Sequence, residues 1–258
     1  MAHPDALRRH GLAVAPGSPC LTWYDLGTGA RVELSRATLD NWVAKAGSLL
    51  AEEYDLGAGS VVLLDLRTHW LSAVWAHAVW ALGAAVTLPG ASDVRCEVIV
   101  WQPESRASEH AAGQGSAPVL ACGSDPFARP LGDSCPAGAL DVMAELPGYP
   151  DVLVPPAPPE PDAPALITAA GTWSGATAVA RAAELRGPDT RRLLVRVPPR
   201  TVDALLATTV SPDTADPPGS CVLVQTHGLE SEAATRAALA AVVRQEGLDT
   251  EVGNLTVS

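Results

Sequence analysis

Apolar side chains at Leu39, Trp42, Val43, Ala46, Leu49 and Leu50 recur at helical spacing, so one face of this stretch is apolar. Ser35 stands where a helix N-cap belongs, since its hydroxyl can accept from a free first-turn N–H. Leu34 and Leu39 flank it as a hydrophobic staple. The pattern fades over residues 54–57. The run VVLLDL, 61–66, is continuously apolar, as in a strand covered on both faces. Thr68 is placed to cap the helix that follows, HWLSAVWAHAVWAL. Trp70, Val74, His77 and Ala81 line one face of it, and Leu71, Trp75, Ala78 and Leu82 the next. A helix this apolar is sandwiched inside a protein, and this one is too short to span a bilayer. Gly83 ends it, and AAVTL reads as the next strand.

Upstream, CLTWYDLGTGARVEL reads as two strands around a glycine turn. Downstream, CEVIVW, APVLAC and DVLV continue the strands. Alternating strand, helix and strand implies parallel pairing through right-handed crossovers. PPAPPEPDAP, 155–164, is too rich in proline for a helix or a central strand, and reads as a stiff connector. Beyond it, ALIT is a strand entering a loop of small residues, and AVARAAEL is helical. RLLVRV and SCVLVQ are strands, TVDALLATTV and ESEAATRAALAAVVRQEG helices, and TEVGNLTVS a final strand. The expectation is an α/β protein of layered, mostly parallel sheets with helices on both faces. Residues 1–154 form a first lobe, 155–164 the connector and 165–258 a second lobe.

Composition narrows the function. The chain of 258 residues carries a net charge of −12, which repels phosphate backbones and argues against nucleic-acid binding. No run of 18 apolar residues is uninterrupted, and MAHPDALRRHG has no secretory character, so no membrane span and a cytoplasmic location are expected. The five cysteines form no CxxC pair, which points to reduced, buried thiols and no zinc site.

Several constellations resolve to structure. Ser174 in TWSG lacks the flanking glycines of a nucleophile elbow, having Thr172 and Ala176 instead. Gly113 and Gly115 open no full dinucleotide fingerprint. His69 and His77 lie two helical turns apart, about 12 Å, too far to share a metal ion, and the other histidines are scattered. Trp42, Trp70, Trp75 and Trp80 fall on apolar helical positions and read as core, whereas Trp173 in the loop is the better candidate for an exposed functional aromatic. Asp133, Asp141 and Glu145 read as solvated surface, so no catalytic residue and no metal ligand is expected.

The stretch from VELSRATLDNWVAKAG to GAAVTLPG, with the turn at Gly57, Gly59 and Val61, resembles the opening of the AMP-dependent synthetase and ligase family. DAPALIT resembles the strand that leads into that family's phosphate loop. The resemblance spans roughly residues 20–250, is weak residue by residue, and rests on the order of elements. It implies the first part of the large N-terminal domain of acyl-CoA synthetases. The family loop reads Y-T-S-G-T-T-G-x-P-K-G, where small residues and hydroxyls let backbone N–H groups approach ATP phosphates and lysine adds charge.

Aligned on that loop, the nucleotide-binding candidates are Thr168, Gly171, Thr172, Trp173, Ser174, Gly175 and Thr177. Trp173 replaces a threonine, Ser174 a glycine, and Thr177 the lysine, so the loop is degenerate. ATP or AMP with magnesium is implied by the resemblance alone. The family's magnesium glutamate, ribose aspartate and C-terminal lysine have no counterpart here, and the sole lysine, Lys45, sits in the first amphipathic helix. The reading is a catalytically degenerate binding or interaction module, with a carboxylic acid or nucleotide as its inherited ligand class. The alternative is half of an adenylate-forming enzyme, completed by a partner chain or a homodimer that covers an apolar face.

Overall fold

The computed structural model describes residues 2–91, 94–102, 117–154, 157–186, 192–197, 205–206, 208–209, 220–226, 229 and 231–248. It begins with a helix that the apolar pattern does not announce, α1 (Pro4–Val14). Proline at its first position costs no hydrogen bond, and His3 caps it by accepting the Asp5 N–H at 3.3 Å. β1 (Pro19–Asp25) and β2 (Ala30–Ser35) form the expected antiparallel hairpin. Ser35 caps α2 (Arg36–Tyr54), accepting the Thr38 N–H at 3.1 Å, and Leu34 and Leu39 are buried in one core.

β3 (Val61–Asp65) leads to α3 (Trp70–Ala81), whose twelve residues are all buried. The cap of α3 is His69, not Thr68: its Nδ1 accepts the Leu71 N–H at 3.2 Å. Thr68 lies one residue too early, and its carbonyl instead accepts Trp23 Nε1–H at 2.9 Å. Gly83, with φ +74°, turns the chain into β4 (Ala85–Thr87).

β5 (Val98–Trp101) and β6 (Val119–Ala121) follow as expected. The expected strand at 151–154 is not one. Leu153 instead packs on Gly47 of α2, where any Cβ would collide with it, and Val152 and Val154 face solvent. The next strand is β7 (Ala139–Asp141), followed by the single turn α4 (Val142–Glu145). Three residues are too few for β7 to show a period. β8 (Pro164–Thr168), β9 (Gly171–Ser174), α5 (Gly175–Arg186), β10 (Arg192–Val197), β11 (Ser220–Gln225) and α6 (Glu232–Gln245) complete the described elements. Leu205 and Leu206 are helical, within the expected helix at 201–210. The expected strand at 250–258, Gly113, Gly115, His110 and His227 lie outside the described residues.

Two sheets result. One runs β7-β6-β5-β3-β4-β8-β9, parallel except for β9. The other runs β10-β11-β1-β2, parallel except for β2. α3 touches strands of both sheets, which explains why it is apolar all round, and α2 packs on α3 and the smaller sheet. α6 covers the outer face of the smaller sheet, where Leu239 and Val242 meet Tyr24, Val222 and Val224. Strands from either side of the proline-rich stretch share both sheets: Val86 lies opposite Leu166, and Trp23 opposite Leu223. Indole N–H groups fasten α3, with Trp80 Nε1 donating to the Ala165 carbonyl at 2.8 Å and Trp75 Nε1 to Cys122 Sγ at 3.2 Å. The five cysteines are free thiols, four of them buried.

Candidate functional site

The segment read as a loop of small residues is a tight hairpin. β8 runs to Thr168, Ala169 and Ala170 turn, and β9 returns with Gly171 opposite Thr168, Thr172 opposite Ile167 and Trp173 opposite Leu166. Thr168 closes the turn: its hydroxyl accepts the Ala170 N–H at 3.2 Å and donates to the Gly171 carbonyl at 3.1 Å. Gly171 has φ +131°, a conformation that side-chain-bearing residues rarely adopt. The sequence hides this because glycine, threonine and serine serve a hairpin as readily as a phosphate loop.

α5 starts immediately after the hairpin, where an anion would be drawn to unpaired N–H groups. Those groups are already used. Gly175 N–H donates to the Ala163 carbonyl at 2.9 Å, Ala176 N–H to the Pro161 carbonyl at 2.7 Å, and Thr177 N–H to Ser174 Oγ at 3.2 Å. Ser174 Oγ also lies 3.1 Å from Thr177 Oγ1. Gly171, Thr172 and Thr177 are exposed, Thr168, Trp173 and Ser174 half-buried, and Gly175 buried. The Gly175 backbone is roofed by the imidazole of His3, which stands where a Cβ would project.

Arg9, the cation that acts on His3, is paired with Asp5 at 2.9 Å. Burial pushes His3 down to about 4, against the pull of Asp5, so its ring is neutral near pH 7. Lys45 is engaged elsewhere, donating to the Tyr149 carbonyl at 2.6 Å and pairing with Asp151 at 3.0 Å. Trp173 is not a free aromatic platform: it packs between the main core and a cluster of Ala178, Ala182 and Leu206.

A second place where this fold class opens a crevice is the point where strand order reverses, beyond the carboxyl ends of β3 and β5. Gln102, fully buried, bridges it. Its Oε1 accepts the Arg67 N–H at 2.8 Å, and its Nε2 donates to the Gly123 carbonyl at 3.4 Å. Nothing in the sequence pattern marks Gln102, whereas Pro4 at a helix start is a legible sign of the element that carries His3.

The two histidines of α3 do separate work. His69 is a cap and lies against Trp23, ring centroids 4.4 Å apart, while His77 Nε2 lies 3.2 Å from Thr208 Oγ1. Among the described residues no three His, Cys, Asp or Glu side chains gather as a metal site, and no helix is long and apolar enough to cross a membrane.

The layered pair of sheets, with α3 between them, is the α/β fold of the acyl-CoA synthetase N-terminal domain. An acyl-CoA synthetase of Brucella canis superposes with a TM-score of 0.69 at 14% identity, covering 96% of this chain and 46% of that one. A Mycobacterium tuberculosis fatty acyl CoA synthetase gives 0.64 at 13%, covering 95% and 48%. A mutant form of coronafacic acid ligase from Pectobacterium brasiliense gives 0.63 at 9%, covering 96% and 53%. At these identities the likeness is one of fold, and the chain spans about half the length of these structures. A Mycobacterium tuberculosis protein, named only as a member of a numbered family, is 36% identical over 152 residues, 58% of this chain and 61% of that relative. No family model matches the chain.

Proposed function

We propose that this chain is a catalytically degenerate relative of the AMP-dependent synthetases and ligases that acts as a binding or interaction module. The observation that carries the reading is the start of α5. Its first three N–H groups bond to Ala163, Pro161 and Ser174, and Thr177 stands where the resemblance expects lysine. A phosphate docking there would have to break these bonds and would meet a closed hairpin in place of an open loop. ATP–pyrophosphate exchange over a panel of carboxylic acids tests it. The purified chain is expected to give no acid-dependent exchange, and robust exchange would overturn the reading.

A second reading is an enzyme half completed by another polypeptide. It is compatible with this chain's covering about half of each matched structure. ATP, AMP and magnesium would then be held largely by the partner. Exchange activity that appears only when the chain captures a partner, and vanishes when it is removed, would select this reading over the first.

A further inference from the structure

A partly enclosed cavity of about 20 Å³ is lined by Arg8, Cys20, Arg36, Leu39, His77, Thr208 and Thr209. It joins α1, β1, α2, α3 and the turn at 208–209. The hydrogen-bond inventory around it is incomplete in an informative way. Thr208 Oγ1 donates to the Leu205 carbonyl at 2.6 Å, so it can only accept from His77 Nε2 at 3.2 Å; the Thr208 carbonyl, 3.3 Å from the same nitrogen, is also an acceptor. The His77 proton therefore sits on Nε2. In the neutral ring Nδ1 is then a bare acceptor, and it is buried without a hydrogen-bond partner among the described residues. The Thr209 hydroxyl, 4% exposed, is likewise buried without one among the described residues.

We infer that this cavity holds one buried water molecule, bridging His77 Nδ1, the Thr209 hydroxyl and the guanidinium groups of Arg8 and Arg36. The volume suits one water, and two to four polar partners are what such a water requires. It accepts from a guanidinium N–H and donates to Nδ1. A halide ion could take the guanidinium bonds but has no proton for Nδ1, and would face that nitrogen's lone pair. Arg8 is moreover already paired with Asp5 and Asp40, which weakens its call for a free anion. The water thus fastens α1 and the 208–209 turn to the central helix.

Two measurements test this. The first is a crystal structure of the whole chain grown at pH 7 with bromide replacing chloride. It is expected to show one peak within hydrogen-bond distance of His77 Nδ1 and no anomalous signal there; an empty cavity or a bromide signal would overturn the inference. The second needs no crystal. Thr209→Val strips the water of a partner, so the melting temperature is expected to fall by a few degrees. In a dry cavity the same change removes an orphaned hydroxyl, and the melting temperature would rise.

Discussion

Gly175 is a residue whose smallness has a definite partner. Any side chain there would run into the buried ring of His3, so Gly175→Ala is expected to cost about 1–3 kcal/mol, the usual penalty for overpacking. Chemical denaturation would measure it, and an unchanged midpoint would mean that His3 moves freely aside. His3 and His77 also set a pH dependence. Burial holds both at about 4 in the folded chain, against about 6.5 when unfolded. His3 faces Asp5 and Arg9, and His77 faces Arg8, Asp5 and His3, but burial outweighs them. The unfolded chain therefore binds more protons between pH 6.5 and 4, and stability falls as pH drops through that window. The loss reaches about 3 kcal/mol per ring. Above pH 6.5 this contribution is flat. Urea midpoints across pH 4–8 would show the slope; a flat profile from 6.5 down to 4 would contradict it.

At the scale of elements, what was legible followed local chemistry. Ser35 and its staple announced α2, and the all-round apolar character of α3 announced a helix between two layers. Ser35→Ala is expected to cost about 1 kcal/mol through loss of the cap. Trp80→Phe leaves the Ala165 carbonyl without its indole donor and is expected to cost about 1–3 kcal/mol, read from thermal unfolding. What was not legible depended on partners distant in sequence. The 151–154 run has strand composition but gives Leu153 to Gly47 of α2. The three residues of β7 are strand only because β6 is beside them. The candidate site divided the same way. Its glycines, serine and threonines lie together in one hairpin and the helix start that follows it. That the segment is a hairpin, and that Pro161 and Ala163 occupy the N–H groups of α5, depends on how a proline-rich stretch folds back. No periodicity encodes that.

For the whole molecule, the central fact is that both sheets are built from strands on either side of residues 155–164. Fragments 1–154 and 165–258 made separately are expected to be unfolded or aggregated, and to regain structure on mixing, as followed by circular dichroism. Two fragments that each fold cooperatively would contradict that. The same interleaving fixes the position of the hairpin, because β8 is held by β4 and Trp173 is wedged against α5. Opening the hairpin toward a phosphate would therefore disturb packing as well as hydrogen bonds. The most direct test of a module without adenylate chemistry is isothermal titration of the purified chain with ATP and with AMP, with and without magnesium. No saturable heat is expected from either nucleotide. Saturable binding at a stoichiometry near one would contradict the account, and would mean that the N–H groups of α5 are surrendered to phosphate after all.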